Sequence, residues 1–272
     1  MHESIELIKR YIPSLFEIFN PGDTQFAKIT TSYDNRIKRI KKCGEKGDIY
    51  KAKNTLFDLF WNACDNDQDS YLLLKFIERT INELNQKVPA NLKSGVGKIC
   101  YKMIVDFNES NSNYSNYLSE LSTINKLLSD NKTTLLTPEF TLPNGKSFDF
   151  KIMREEKTYL LEIYNILVDV SKIESENSFK EFLIKRLDNK LNDKLQNLDS
   201  FPEFILVPVL WTKEGNLLSY SNVSSYIRNK YNNISYFMVF SKFYSPKTKK
   251  SFYEFLTLES CATLHRKNMV TY

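Results

Sequence analysis

Two acidic residues, Asp149 and Glu162, lie in alternating, strand-like segments on either side of one polar, turn-like stretch, residues 154–157. If the turn is centred there, with Met153 opposite Thr158, Asp149 faces Glu162 directly across a hairpin. Cross-strand neighbours have Cβ atoms about 4.5–5.5 Å apart, and like charges at that distance are destabilising unless something compensates them. A divalent cation is one direct compensation, because Mg²⁺ binds one or two carboxylates together with water and substrate phosphate. The pair therefore predicts a metal-assisted phosphodiester hydrolase.

The apolar pattern predicts the elements that must position these acids. From residue 116 it indicates a helix, three strands, a helix, a strand, a helix and two more strands, which is typical of an α/β domain with a mixed sheet. The acids fall on predicted strands at residues 145–153 and 157–168. The amphipathic segment 178–198 predicts a helix, and the apolar run 201–211 predicts a strand buried inside the sheet.

This arrangement resembles the PD-(D/E)xK, or restriction-endonuclease-like, nuclease superfamily over about residues 116–211. Asp149 matches the Asp of the second core strand, and Glu162-Ile163-Tyr164 lies where the acid-x-Lys motif belongs. The resemblance implies Mg²⁺ or Mn²⁺ held by Asp149, Glu162 and the backbone carbonyl of Ile163, with DNA as the substrate. Many members carry a further Glu on the first core helix, and Glu120 occupies that place.

Tyr164 replaces the motif lysine, which is the main departure from the family pattern. Lys151 is the predicted substitute, because it lies two residues beyond Asp149 on the same strand face and diagonal to Glu162. Lys180, Lys185 and Lys190 on the following helix are the weaker alternatives. The competing interpretation is a solvent-facing hairpin on which Lys151 merely offsets the two acids, with Tyr164 packing against its neighbours.

The chain before residue 110 shows helical periodicity, with Pro13 splitting the first helix and Asp48 capping the third. The polar segment 108–115 predicts a boundary between a helical domain (1–110) and a restriction-endonuclease-like α/β domain (116–272). The predicted fold class is thus α/β, a helical N-terminal domain followed by a mixed-sheet domain. The first domain contains the densest basic stretch, which includes Arg36, Arg39, Lys41 and Lys42. This stretch predicts contacts with a phosphate backbone or, alternatively, a solvated helix face.

Composition excludes several classes of protein. The 272 residues include only two histidines, at opposite ends, and four dispersed cysteines, which argues against a zinc site. The formal net charge of +5 permits a nucleic-acid partner without requiring one. No apolar run approaches the length of a membrane span. The first residues do not resemble a signal peptide, so a cytoplasmic location without a membrane partner is expected.

Two functions follow from these observations. The first is a metal-dependent nuclease, a hydrolase with a restriction-endonuclease-like fold that cuts either as an endonuclease or as an exonuclease, with the helical domain binding the target, a protein partner or a second copy of the chain. The second is a nuclease-like fold that has lost catalysis and binds nucleic acid or protein, for which Tyr164 in the lysine position is the main support.

Overall fold

The computed structural model describes residues 1–46, 55–105, 114–167, 175–196, 202–211, 217–245, 247–261 and 263. The chain divides into two compact units, Met1–Asn125 and Lys126–Tyr272. The predicted boundary segment, residues 108–115, lies mostly outside the described residues. Within the described ranges, no helix has both the length and the apolarity that a membrane crossing requires.

The first unit is helical, as predicted. Its described elements are α1 (Glu3–Tyr11), α2 (Leu15–Ile18), α3 (Asp23–Glu45), α4 (Leu56–Cys64), α5 (Gln68–Lys87), a 3₁₀ turn (Ala90–Leu92), α6 (Lys93–Val105) and most of α7 (Tyr114–Leu127). Pro13 separates α1 from α2, because proline cannot supply the N–H of a helix interior. The unit is closely packed where α6 meets α2, since a Cβ on Gly97 would lie 2.7 Å from the Ile18 carbonyl oxygen.

The start of α4 differs from the prediction. The helix begins at Leu56, and the predicted cap, Asp48, lies outside the described residues. The Thr55 hydroxyl accepts the Asp58 N–H, and the Asp58 carboxylate accepts the Thr55 N–H, which is a capping box. These two reciprocal hydrogen bonds between Thr55 and Asp58 therefore fix the start of this helix.

The second unit is built on a mixed six-stranded sheet whose strands follow one another in chain order. Its elements after α7 are β1 (Thr133–Thr141), β2 (Ser147–Arg154), β3 (Lys157–Leu167), α8 (Glu176–Leu195), β4 (Phe204–Trp211), α9 (Leu217–Lys230), β5 (Met238–Ser245) and β6 (Lys250–Thr257). β1, β2 and β3 are antiparallel, β3, β4 and β5 run parallel, and β6 is antiparallel to β5. The predicted order of elements is confirmed.

The parallel pairs require crossover connections, and α8 and α9 lie in them. Both helices pack into one hydrophobic core with the sheet, and α8 contributes the fully buried Phe179, Leu183 and Leu187. β4 is buried along nearly its whole length, as its continuous apolar sequence predicts. The packing of α8 therefore fixes which of its side chains face β3.

The β2–β3 hairpin has the predicted register. Its ladder runs from Arg154↔Lys157 through Met153↔Thr158 to Phe150↔Leu161. The two turn residues, Glu155 and Glu156, have φ values of 49° and 67°. Positive φ at both central residues is the geometry of a type I′ turn, whose twist matches that of the two strands. The ladder ends at Phe150↔Leu161, one residue short of Asp149 on β2 and one residue short of Glu162 on β3, so the predicted direct pairing of the two acids is not part of it.

Candidate active site

Asp149 lies where β2 and β3 separate. The recorded ladder between these strands ends at Phe150↔Leu161, whereas β3 continues beside β4 as far as Leu167. One carboxylate oxygen of Asp149, Oδ2, accepts the Ile163 N–H at 2.6 Å, so the side chain takes a hydrogen bond from the β3 backbone. Burial, followed by the nearby charge of Glu162, raises the pKa of Asp149 to about 7, although the Ile163 hydrogen bond acts in the opposite direction.

Glu162 is almost completely buried, with 3% of its side chain exposed. Two lysines of α8 compensate its charge: the Lys190 ammonium lies 2.6 Å from Oε1, and the Lys194 ammonium lies 2.8 Å from Oε2. The contact with Lys194 is an ion pair rather than a hydrogen bond, and Oε2 has no hydrogen-bond partner among the described residues. Because the lysines are four residues apart on one helix, they project from the same face toward β3.

Further contacts hold the two lysines in place. Lys194 also donates a hydrogen bond to the Ser147 carbonyl and lies 5.4 Å from the centre of the Phe148 ring. Lys190 lies 5.2 Å from the centre of the Tyr164 ring. Burial by itself lowers the pKa of Lys190, but the charge and hydrogen bond of Glu162 outweigh it, so the pKa is raised. Two carboxylates and two ammonium groups thus meet beside β3, largely shielded from water.

The other residues predicted for this site are placed as follows. The Lys151 ammonium lies 4.9 Å from the centre of the Phe140 ring. Tyr164 is half-buried beneath Lys190, and Ile163 supplies the N–H that Asp149 accepts. Glu120 lies half-buried on α7, in the first unit. The catalytic roles of Lys151, Tyr164 and Glu120, and the metal-binding role of the Ile163 carbonyl, stay predictions.

The lysines that contact Glu162 differ from the predicted substitute, Lys151: Lys190 is one of the weaker alternatives, and Lys194 is not among the predicted residues. The spacing of the buried residues along α8 indicates these two lysines. Phe179, Leu183 and Leu187 form its buried stripe, and positions 190 and 194 continue that stripe at helical spacing. A lysine at a position that faces the core must find a carboxylate, and Glu162 is that carboxylate.

The basic stretch of the first unit divides into buried and exposed residues. Arg36 is 7% exposed and forms an ion pair with Asp58, with Nη2 donating to Oδ2 at 2.6 Å and Nε to Oδ1 at 3.2 Å. A structural role therefore accounts for Arg36. Arg39, Lys41 and Lys42 are exposed on α3 and stay predicted contacts for a phosphate backbone.

The donors at Asp149 and Glu162 fit a hard divalent cation. No cluster of three or more His, Cys, Asp or Glu residues that could hold a metal occurs in the part of the chain that the structure describes. Mg²⁺ does not need one, since it keeps several waters and uses one or two protein carboxylates. The Glu162 oxygen without a hydrogen bond, Oε2, would reach such an ion only if the ion displaced the Lys194 ammonium, which lies 2.8 Å from it.

Comparison with known proteins gives no support for any particular family. No family model matches the sequence, and no significant match is found among curated proteins or solved structures.

The raised pKa of Asp149 predicts how stability without metal depends on pH. Between the ordinary carboxyl pKa near 4 and about 7, the folded protein holds a proton on Asp149 that the unfolded chain has released. The unfolding free energy should therefore fall as pH rises through this window, by up to about 1.4 kcal/mol per pH unit, and level off above it. Urea denaturation in EDTA at pH 5, 6, 7 and 8 measures this fall.

The Asp149→Asn variant provides the comparison, because its amide oxygen still accepts the Ile163 N–H but does not ionise. The variant should gain stability relative to the native chain as pH rises from 5 to 7. Glu156→Gln, in the exposed hairpin turn, should instead follow the native chain. A constant difference between the native chain and Asp149→Asn across these pH values would refute the assignment of the titration to Asp149.

Proposed function

We propose that the second unit is a divalent-metal-dependent nuclease that hydrolyses phosphodiester bonds, with DNA as the substrate implied by the resemblance to the PD-(D/E)xK superfamily. The observation that carries the proposal is the meeting of Asp149, Glu162, Lys190 and Lys194 at the point where β2 and β3 separate. The order of three strands, helix and strand in this unit, which follows α7 along the chain, supports it.

Each residue would have a distinct role in this mechanism. Asp149 and Glu162, with the Ile163 carbonyl, would hold Mg²⁺ or Mn²⁺. A bound ion would make water more acidic and stabilise negative charge on the phosphate. The N–H of Ile163 fixes the Asp149 carboxylate, and the two ammonium groups lie against the buried oxygens of Glu162.

The α8 lysines also supply what the sequence motif lacks. Tyr164 occupies the position of the motif lysine, and the Lys190 ammonium lies above its ring. A positive charge therefore reaches the acids from the helix that follows β3 instead of from β3 itself. On a bound substrate, that charge would stabilise the additional negative charge that develops on the phosphate oxygens.

A cleavage assay tests the proposal. Labelled single-stranded and double-stranded DNA and RNA are incubated with the full chain in Mg²⁺, in Mn²⁺ and in EDTA. Cleavage should require metal and should fall at least about 10²-fold in Asp149→Asn and in Glu162→Gln. Glu156→Gln should cleave normally. Cleavage that persists in both site variants, or that continues in EDTA, would exclude this site as the catalytic centre.

The second candidate is a nuclease-like fold that binds nucleic acid or protein without cleaving it. One observation favours it: an ammonium group already lies against each oxygen of Glu162, so the charges balance without a metal. In the same assay, this candidate predicts binding in EDTA and intact substrate in both Mg²⁺ and Mn²⁺.

A further inference from the structure

The hairpin formed by β5 and β6 concentrates positive charge at one end of the second unit's sheet. Residues 241–253 contain four lysines and no acidic residue. Lys247 and Lys249 are exposed in the turn, and Lys250 is exposed in the last pair of the ladder, Ser245↔Lys250. No described residue forms an ion pair with these three ammonium groups, in contrast to the lysines that contact Glu162.

Two exposed aromatic rings flank this charged turn. Tyr244 is 41% exposed and Phe252 is 37% exposed. They belong to adjacent cross-strand pairs, Tyr244↔Ser251 and Phe243↔Phe252, so they project from opposite faces of the hairpin. The other exposed tyrosines of the described residues, Tyr71 and Tyr226, each lie beneath a lysine ammonium.

The rings of the hairpin are not covered in this way. Among the described residues, no aromatic ring stacks on Tyr244 and no lysine or arginine lies over it, and Phe252 has a ring contact only with Phe243 of the same hairpin. Exposed aromatic rings beside uncompensated positive charge match a ligand that carries both flat apolar faces and anionic groups. Single-stranded nucleic acid has both, since its phosphates bind lysine and its unpaired bases stack on aromatic side chains. In a duplex, by contrast, the base faces are already stacked on one another.

We infer that the β5–β6 hairpin is a binding site for single-stranded nucleic acid, in which Lys247, Lys249 and Lys250 contact phosphates and Tyr244 and Phe252 stack on bases. This site goes beyond the proposed nuclease activity, because it requires binding only and does not involve Asp149 or Glu162. It stands whether or not the chain cleaves its ligand.

Fluorescence anisotropy in EDTA tests the inference without interference from cleavage. The full chain is titrated into a labelled single-stranded DNA of mixed sequence, its duplex, and an abasic single strand of the same length. The first variant is Lys247→Gln, Lys249→Asn and Lys250→Gln, with Asn chosen because Lys249 has a φ of 52°, which asparagine tolerates. Its charge-matched control removes three exposed lysines from other elements: Lys28→Gln, Lys98→Gln and Lys157→Gln.

The hairpin lysine variant should weaken single-strand binding about tenfold at low salt and reduce the slope of log K against log salt by about 2, since each lost contact removes about 0.7. The control should bind nearly as the native chain does. The second variant, Tyr244→Leu with Phe252→Leu, should weaken binding at least about fivefold for the normal strand but leave the abasic strand unchanged.

Three results would overturn the inference. The hairpin lysine variant and its control could lose affinity equally, which would indicate general electrostatic attraction. The ring variant could bind the normal strand as tightly as the native chain, which would remove the role of stacking. Finally, the lysine variant could lose binding to vesicles of anionic lipid while keeping its affinity for the single strand, which would identify the hairpin as a membrane-facing surface.

Discussion

Replacement of Lys190 and Lys194 together by methionine is expected to lower both cleavage and stability, but in different ways. In EDTA the unfolding free energy should fall by about 3 kcal/mol, because Glu162 becomes a buried charge without a partner. Mg²⁺ should restore part of this loss, and more than it adds to the native chain, since a cation that binds only the folded state stabilises it. Cleavage should nevertheless fall at least about 10²-fold, because the charge that faces the phosphate is gone.

The combination of these results separates a catalytic role from a structural one. Urea denaturation with and without Mg²⁺ measures the stability change, and cleavage is measured at saturating metal, where the variant is folded. Lys185→Met, an exposed position on the same helix, is the control and should change neither quantity. Restored stability together with native cleavage would show that the α8 lysines only neutralise Glu162. An unchanged stability in EDTA would contradict the ion-pair geometry itself.

The single variants should differ in a way that follows from burial. The Lys194 side chain is 13% exposed and also bonds to the Ser147 carbonyl, whereas the Lys190 side chain is 24% exposed. Lys194→Met should therefore cause the larger loss of stability. Lys190→Met should cause the larger loss of cleavage relative to its loss of stability, because its ammonium is more accessible to a substrate. Equal effects in both assays would show that the two lysines are interchangeable.

Local patterns in the sequence predicted the β2–β3 hairpin and the order of the elements. Residues 154–157 form the one polar break between two alternating segments, so the register from Phe150↔Leu161 to Arg154↔Lys157 followed from period two alone. The sequence also predicted β4, because a continuous apolar run of this length is typical of a buried parallel strand. These features depend on neighbours in sequence.

The ion-pair partners of the charged residues could not be predicted from such local patterns, because each ion pair joins two elements that are distant in sequence. Lys190 and Lys194 reach Glu162 only when the crossover helix packs on β3, and Arg36 reaches Asp58 only when α3 lies beside α4. Both cases share a recognisable pattern. Arg36 continues the buried stripe of Ile29 and Tyr33, just as the two lysines continue the stripe of α8. A basic residue in the apolar phase of a helix indicates a buried ion pair, and the composition of a basic stretch alone does not reveal it.

The second large effect is expected at the ion pair between Arg36 and Asp58. Asp58→Ala should lower the unfolding free energy of the first unit by about 3–5 kcal/mol, because the Arg36 guanidinium is then left buried without a counter-charge. The same substitution removes the acceptor of the Thr55 N–H at the start of α4, which adds to the loss. Urea denaturation followed by the fluorescence of Trp61, in a Trp211→Phe background, reports on this unit alone.

A surface pair of similar geometry tests whether burial is the cause. Lys146 and Asp193 lie 2.5 Å apart, but their side chains are 37% and 53% exposed, whereas those of Arg36 and Asp58 are 8% and 7% exposed. Solvent screens the exposed pair, so Asp193→Ala should leave the unfolding midpoint of its unit nearly unchanged. Adding Arg36→Met to Asp58→Ala should recover much of the lost stability, because the unpaired charge is then removed. If Asp58→Ala is instead as mild as Asp193→Ala, water reaches Arg36 in solution, and the predicted phosphate contact at this residue becomes the better explanation of its charge.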